Sequence, residues 1–154
     1  MKTKIITVVC LFFLALNLQG QEQKLKFFNT KNLDGTIVLT LKTQRKLPKG
    51  SKRVLISFTK EKEALQLLQE ICNEQLASYK KEKNEWIAGV FKIDNKGKLF
   101  DVEYYLKQGN KEIPEEALFA IYNKLMEINW LEYAKAYNDE KDFDYMTFMY
   151  GVSR

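Results

Sequence analysis

One stretch of the chain, residues 60–81, carries its apolar residues at the spacing of a single helix face. They recur every three or four positions, at Leu65, Leu68, Cys72, Leu76 and Tyr79. This period is that of an amphipathic helix, and Thr59 just before it is a residue type that caps a first turn. A helix with one apolar face must bury that face against another layer, so the stretch predicts a helix packed on a sheet or on other helices.

A second helix is predicted over residues 114–128. Pro114 suits a first helical turn, and Glu115 and Glu116 complement the positive end of the helix dipole. The apolar stripe consists of Leu118, Ile121, Leu125 and Ile128. Trp130 follows the stripe directly, and we expect it to pack between this helix and a sheet rather than to contact a partner.

Strand patterns fill most of the remaining sequence. Residues 99–106 alternate, with one face formed by Phe100, Val102, Tyr104 and Leu106 and the other by Asp101, Glu103 and Tyr105. Four further strands are predicted, at residues 36–43, 53–58, 86–93 and 143–152. Residues 21–33 form a leading arm or an edge strand, and residues 131–142 are irregular. The order β-β-α-β-β-α-β predicts one α+β domain, an antiparallel sheet with two amphipathic helices laid on it.

The first twenty residues resemble a secretory signal peptide. Lys2 and Lys4 precede an apolar run of twelve residues, 5–16, and Gly20 offers a small residue before a cleavage point. The run is shorter than the roughly 20 apolar residues of a membrane-spanning helix. We therefore expect a single mature domain, residues 21–154, that is periplasmic or secreted and has no stable membrane insertion after the signal is removed.

Charge and residue usage exclude several classes of function. The formal net charge is +5, and two of the lysines lie in the signal peptide, which leaves +3 for the mature chain. Lysines interleaved with glutamates, together with export, argue against nucleic acid as a partner. The chain contains no histidine, which excludes Ser-His-Asp and Cys-His catalysis.

Cys72 is the one cysteine outside the signal peptide, so we expect a buried thiol, no intramolecular disulfide and no zinc site. The nucleotide-binding glycine motifs are missing too. We expect no cofactor, no metal and no catalytic residues.

Two groups of carboxylates remain. Asp139, Glu140, Asp142 and Asp144 could bind calcium through oxygen ligands, but their spacing does not match a calcium loop and favours an exposed, solvated turn. Asp101 and Glu103 share a strand face and could form a glycosidase-type pair. Such a spacing is more typical of the wet face of a half-buried strand, which is our expectation here.

Residues 86–152 resemble the C-terminal domain of TonB-type proteins. The resemblance rests on an ordered set of residues: Val90–Asp94, Gly97, Val102, Ile113–Leu118, Ile121, Trp130 and Phe148. It differs from the family in lacking a proline after Trp130, a proline-rich spacer and an uncleaved membrane helix. The resemblance implies a free-standing exported domain of that shape rather than an energy transducer.

A chain this poor in catalytic chemistry is predicted to be a non-enzymatic binding domain. We expect it to recognise an envelope protein or peptide by strand addition at a sheet edge. The candidate binding residues lie in the last strand and are Phe143, Tyr145, Phe148 and Tyr150. Two alternatives stay open: a carboxylate-type enzyme acting on envelope polysaccharide, and a carrier that encloses a small ligand between helices and sheet.

Overall fold

A computed structural model describes residues 25–79, 86–107 and 113–153 of the protein, and the predicted signal peptide lies outside these ranges. Two α-helices lie within them, α1 (Glu61–Leu76) and α2 (Glu115–Met126). The strands are β1 (Phe28–Leu33), β2 (Thr36–Leu41), β3 (Arg53–Phe58), β4 (Trp86–Asp94), β5 (Leu99–Lys107), β6 (Ala134–Ala136) and β7 (Tyr145–Ser153). No helix in the described ranges combines the length and apolarity needed to cross a bilayer.

The strands of the described residues form one sheet of seven, in the order β1-β2-β5-β4-β7-β3-β6. The α+β class, with two helices on a mostly antiparallel sheet, is confirmed. The predicted element order is incomplete in two places. Residues 28–33 form an edge strand, and β6 lies inside residues 131–142, where an irregular segment was expected, because three residues are too few to show a period.

One pair of strands corrects the prediction of a purely antiparallel sheet. β3 runs parallel to β7, with Arg53 opposite Tyr145 and Leu55 opposite Thr147. In the sheet order, β2 and β3 are separated by three strands, β5, β4 and β7. Residues 42–52 therefore form a long connection across the end of the sheet, here called the crossover. The direction of β3 follows from this long-range connection, which no local pattern in the sequence records.

The core lies between the two helices and one face of the sheet. Leu68, Cys72 and Leu76 of α1 are buried, and so are Leu118, Ile121 and Leu125 of α2. Burial raises the pKa of the Cys72 thiol to about 11, which agrees with the expected structural role. Leu65 departs from the predicted stripe, because 37% of its surface stays exposed at the rim of α1.

A β-bulge interrupts the predicted alternation of β5. Lys92 pairs with Asp101 but the next residue, Ile93, pairs with Leu99, so Phe100 has no partner on β4. Leu99 consequently enters the core, while the Phe100 ring packs edge-on against Tyr145 at 6.1 Å. The prediction that Phe100 shares a face with Val102 is wrong, because an unpaired residue shifts the period of two by one position.

Trp130 occupies the position predicted for it. Its side chain is fully buried, its indole Nε1 donates to the carbonyl of Leu125 at 3.2 Å, and its ring lies 5.2 Å from that of Phe148. Its backbone N–H donates to the carbonyl of Gly97 in the β4–β5 turn. Gly97 has φ of +81°, and a Cβ there would lie 2.5 Å from Asn129 Oδ1. Trp130 thus joins α2, the β4–β5 turn and β7.

We expect Trp130→Ala to lower the free energy of unfolding by about 3–5 kcal/mol, because the substitution leaves a large cavity and removes the bond to Leu125. Leu131→Ala is the matched control, since Leu131 is adjacent but 45% exposed and should cost well under about 1 kcal/mol. Urea unfolding followed by circular dichroism measures both. Equal effects in the two variants would contradict the structural role of Trp130.

Candidate binding surface

The sheet face opposite the helices, here called the open face, carries the polar side chains of the central strands. Tyr104 and Val102 of β5 point into the core, so Asp101, Glu103 and Tyr105 lie on the open face because successive strand residues alternate. In the strand register, Lys92 of β4 lies opposite Asp101. The open face therefore brings an ammonium group between two carboxylates.

Lys92, Asp101 and Glu103 form a compact ion cluster. Lys92 Nζ lies 2.8 Å from Asp101 Oδ2 and 2.7 Å from Glu103 Oε1. Gln44 of the crossover donates its amide to Asp101 Oδ2 at 2.7 Å, and the Tyr105 hydroxyl donates to Glu103 Oε2 at 3.2 Å. The cluster thus ties the crossover to the middle of the sheet.

Burial and pairing act in opposite directions on the cluster. Burial by itself would lower the pKa of Lys92, but its hydrogen bonds to Asp101 and Glu103 outweigh burial and hold that pKa above the usual value. For Glu103, burial would raise the pKa, whereas the hydrogen bond and charge of Lys92 bring the net pKa below the usual value. Each partner therefore favours the charged form of the other.

Asp101 corrects the prediction of a wet strand face. Its side chain is 1% exposed, and its Oδ1 atom is buried without a hydrogen-bond partner in the described residues. Asp101 and Glu103 both bind Lys92, and neither lines the pocket described next. The reason is the crossover, which covers Asp101 and which the local sequence around Asp101 could not indicate.

A pocket of about 250 Å³ lies between the crossover and the β4–β5 turn. The Arg45 guanidinium lies 5.5 Å from the centroid of the Phe100 ring and 3.9 Å from Asp94 Oδ2. Pro48 and Asp144 complete this side of the lining. The ligand-carrier hypothesis expected an apolar cavity between helices and sheet, whereas this pocket is on the other face and has a charged lining.

The acidic residues before β7 lie at the surface and each contacts a lysine. Asp139 Oδ1 lies 2.7 Å from Lys135 Nζ. Glu140 and Asp142 each lie 3.5 Å from the ammonium of Lys52, and Asp144 accepts the backbone N–H of Lys52 at 2.7 Å. Within the described ranges no three such side chains are placed to hold a metal ion.

β7 is paired along its full length on one side and along a third of it on the other. Its partner β4 runs beside it from Trp86, opposite Ser153, to Asp94, opposite Tyr145. β3 pairs only with Tyr145–Thr147 and then continues through Ile56–Phe58 as the partner of β6. Among the described residues, no strand lies beyond Phe148–Ser153, which is here called the free edge.

Exposed apolar side chains flank the free edge. Met149 is 68% exposed and Leu55 is 60% exposed. Both lie on the open face, because Leu55 pairs with Thr147 and Met149 is two residues further along the same strand. Val90 of β4 lies opposite Met149, so an apolar surface borders an unpaired stretch of backbone.

The other edges of the sheet are better protected against pairing. β1 is polar and carries Lys31, and β6 is three residues long and carries Lys135. Lysines and short strands are common ways of preventing an edge from adding another strand. Residues Tyr145–Ser153 contain no charged residue, so the free edge is the part of the sheet most open to strand addition.

The four predicted binding residues have different environments. Phe148 is a core residue whose ring stacks on Phe91 at 5.0 Å, so its side chain is committed to packing. Phe143 is half-buried against the core, and Tyr145 lies beside Phe100. Tyr150 is half-buried and is the one of the four, besides Phe148, that belongs to the free edge.

Met149 and Leu55 are surface residues of this site that the sequence reasoning did not select. The signal was present for Met149: in a strand whose even-numbered residues include Phe148, odd-numbered residues face the opposite side. Aromatic residues were selected instead, because they are frequent at interfaces. Of the aromatic residues predicted to bind, Phe148 has its ring in the core.

Comparisons with protein-family models, curated proteins and solved structures found no match to this chain.

We expect Lys92→Met to lower the free energy of unfolding at neutral pH by about 3–5 kcal/mol, because it leaves the buried Asp101 carboxylate without its cation. Lys124→Met is the control, since it removes an exposed pair with Glu127 and should cost at most about 0.5 kcal/mol. Urea titrations of both variants measure the difference. A Lys92→Met protein as stable as the control variant would contradict the role of the cluster.

The ion pair between Lys92 and Glu103 predicts that stability depends on pH. The fold lowers the pKa of Glu103. The contribution of Glu103 to the free energy of unfolding is therefore present above the ordinary carboxyl pKa of about 4.3 and is lost as pH falls through the lowered pKa. Lys92 has a raised pKa, so its contribution is complete below about pH 10.4 and is lost as pH rises through the raised value. We expect the stability difference between wild type and Lys92→Met to shrink at both ends of a pH series, most clearly in acid. A constant difference would count against the pairing.

Proposed function

We propose that the protein is an exported, non-enzymatic binding domain that recognises an extended segment of an envelope protein or peptide. The segment adds as a strand to the free edge of β7. One observation carries this proposal: from Phe148 to Ser153, β7 is paired with β4 but has no described strand on its other side. Strand addition requires an edge and no catalytic residues.

The backbone of the free edge supplies the affinity in this proposal. Strand residues direct their N–H and C=O groups alternately to the two sides. With β4 using one side, about half of the backbone groups of Phe148–Ser153 face outward. A guest strand pairs with these groups whatever its sequence, so main-chain hydrogen bonds bind it and side chains select it.

The neighbouring side chains favour an apolar guest of limited length. Alternate residues of a guest strand would lie on the open face beside Met149 and Leu55, which are exposed apolar residues next to the free edge. Toward Tyr145 the position beside β7 is already taken by β3. The guest can therefore pair with about six residues of β7, which suits a short linear segment with apolar residues at every second position.

The sequence features that predict export are consistent with this function. The signal-like leader would deliver the domain to the envelope, and the TonB-like stretch, residues 86–152, contains β4 and all of β7 except Ser153. Its likeness to a family of envelope domains supports the choice of an envelope polypeptide as the ligand. Electrostatic attraction contributes little in this proposal, because Tyr145–Ser153 is uncharged.

Selection of short random peptides displayed on phage against residues 21–154 tests the proposal. Selected peptides should show apolar residues at alternate positions, and Met149→Lys should weaken their binding about tenfold, or about 1.4 kcal/mol. The lysine removes an apolar contact and adds an edge charge that disfavours strand pairing. Leu33→Lys is the matched control, because Leu33 is also an exposed apolar residue on an edge strand, β1. This substitution should leave the affinity for the peptide unchanged.

Hydrogen exchange with and without a selected peptide locates the site. Amides of Phe148–Ser153 should gain protection on binding. Prolines at two adjacent central positions of the peptide should abolish it, because one of those two N–H groups must face β7 and proline donates none. Binding that protects other residues, or that is equally weakened by Leu33→Lys, would overturn strand addition at β7.

A further inference from the structure

We infer that the free edge also pairs with the free edge of a second copy of this chain, forming a twofold-symmetric dimer. The dimer follows from the edge itself, and its consequence for ligand binding rests on the function proposed above. Self-pairing would occupy Phe148–Val152, which lies within the stretch that binds the peptide, because β3 already covers Thr147. The dimer would therefore hold the binding edge in a covered form, and an extended peptide would compete with it.

Charge distinguishes this edge from the others as a self-pairing surface. A twofold axis brings each residue close to its own counterpart, so a charged residue near the axis repels itself. Self-pairing of β1 would bring two copies of Lys31 together, and self-pairing of β6 two copies of Lys135. The nine residues of β7 contain no charge, so its self-pairing carries no such penalty.

The geometry of a continuous sheet restricts the register. Residues directly opposite each other in neighbouring strands point to the same face, so an antiparallel pair related by a twofold axis must be centred on a residue rather than between two. Met149 and Gly151 share the open face, and Tyr150 lies between them. Centring the axis on Tyr150 places each Met149 opposite the second copy's Gly151.

This register joins complementary shapes. Met149 is a long, flexible side chain that is 68% exposed, and Gly151 is an exposed position with no side chain. In the dimer each methionine would lie over the space at the other copy's glycine, and the arrangement would occur twice. Burial of apolar surface on both sides of the axis would then add to the main-chain hydrogen bonds.

Competition between self-pairing and peptide binding would make the domain respond to its own concentration. A ligand that binds only the free edge draws on the monomer, so its apparent Kd rises as the dimer fraction rises. At low concentration the edge is available to a guest segment. At high concentration the same uncharged edge is covered, rather than left open to unlimited aggregation.

Disulfide trapping tests the dimer and its register together. Met149→Cys and Gly151→Cys proteins, mixed in equal amounts under mild oxidation, should give a covalent heterodimer in greater yield than either protein alone, because positions 149 and 151 are directly opposite in the inferred register. Cys72 stays in place, since it is buried and its pKa of about 11 keeps it a thiol at neutral pH. Efficient trapping of Gly151→Cys alone, or no trapping in any sample, would overturn this register.

Sedimentation of wild type, Met149→Lys and Leu33→Lys completes the test. Wild type and Leu33→Lys should show a concentration-dependent dimer, Met149→Lys should be monomeric, and a phage-selected peptide should convert the wild-type dimer to a monomer–peptide complex. A wild type that stays monomeric at every concentration but binds peptide at Phe148–Ser153 would refute the dimer and leave the proposed function standing. A dimer that forms at this edge while no peptide binds there would refute the proposed function instead, and with it the competition.

Discussion

The buried ion pair between Lys92 and Asp101 connects the middle of the sheet to the crossover, because Gln44 of the crossover is hydrogen-bonded to the same Asp101 carboxylate. The connection from β2 to β3 must pass the ends of three strands, and Gln44 meets the buried Asp101 on its way. The crossover leads into β3, which enters the sheet beside the first three residues of β7. The free edge begins at Phe148, the first residue of β7 beyond its pairing with β3.

The elements that the sequence predicted are those whose signals are local. The apolar stripes of α1 and α2 repeat about once per helical turn. Trp130 is buried, as its position directly after the stripe of α2 predicts. The features that escaped prediction are long-range. The burial of Asp101 depends on Gln44, 57 residues away, and the parallel β3–β7 pair depends on the path of the crossover.

The candidate site likewise has one part that local sequence predicted and one part that depends on tertiary packing. The choice of the last strand, residues 143–152, as a binding element followed from its strongly apolar composition, and Tyr150 does lie on the free edge. Which side of that strand faces the core could not be read from apolar residues placed on both faces. Phe148 was selected although its ring packs between Phe91, Phe58 and Trp130, and Met149 was not.

The parallel pairing of β3 with β7 has a consequence for how the chain folds. β4, β5, α2 and Trp130 lie within 45 residues of one another, counted from Trp86 to Trp130, and contacts so close in sequence form fast. β3 joins β7 across about 90 residues, as Arg53 pairs with Tyr145, and such closure is slow. Until β3 docks, all nine residues of β7 lack an outer neighbour. A partly folded chain without β3 in place would therefore expose a longer uncharged edge than the native protein and be more prone to aggregate through it.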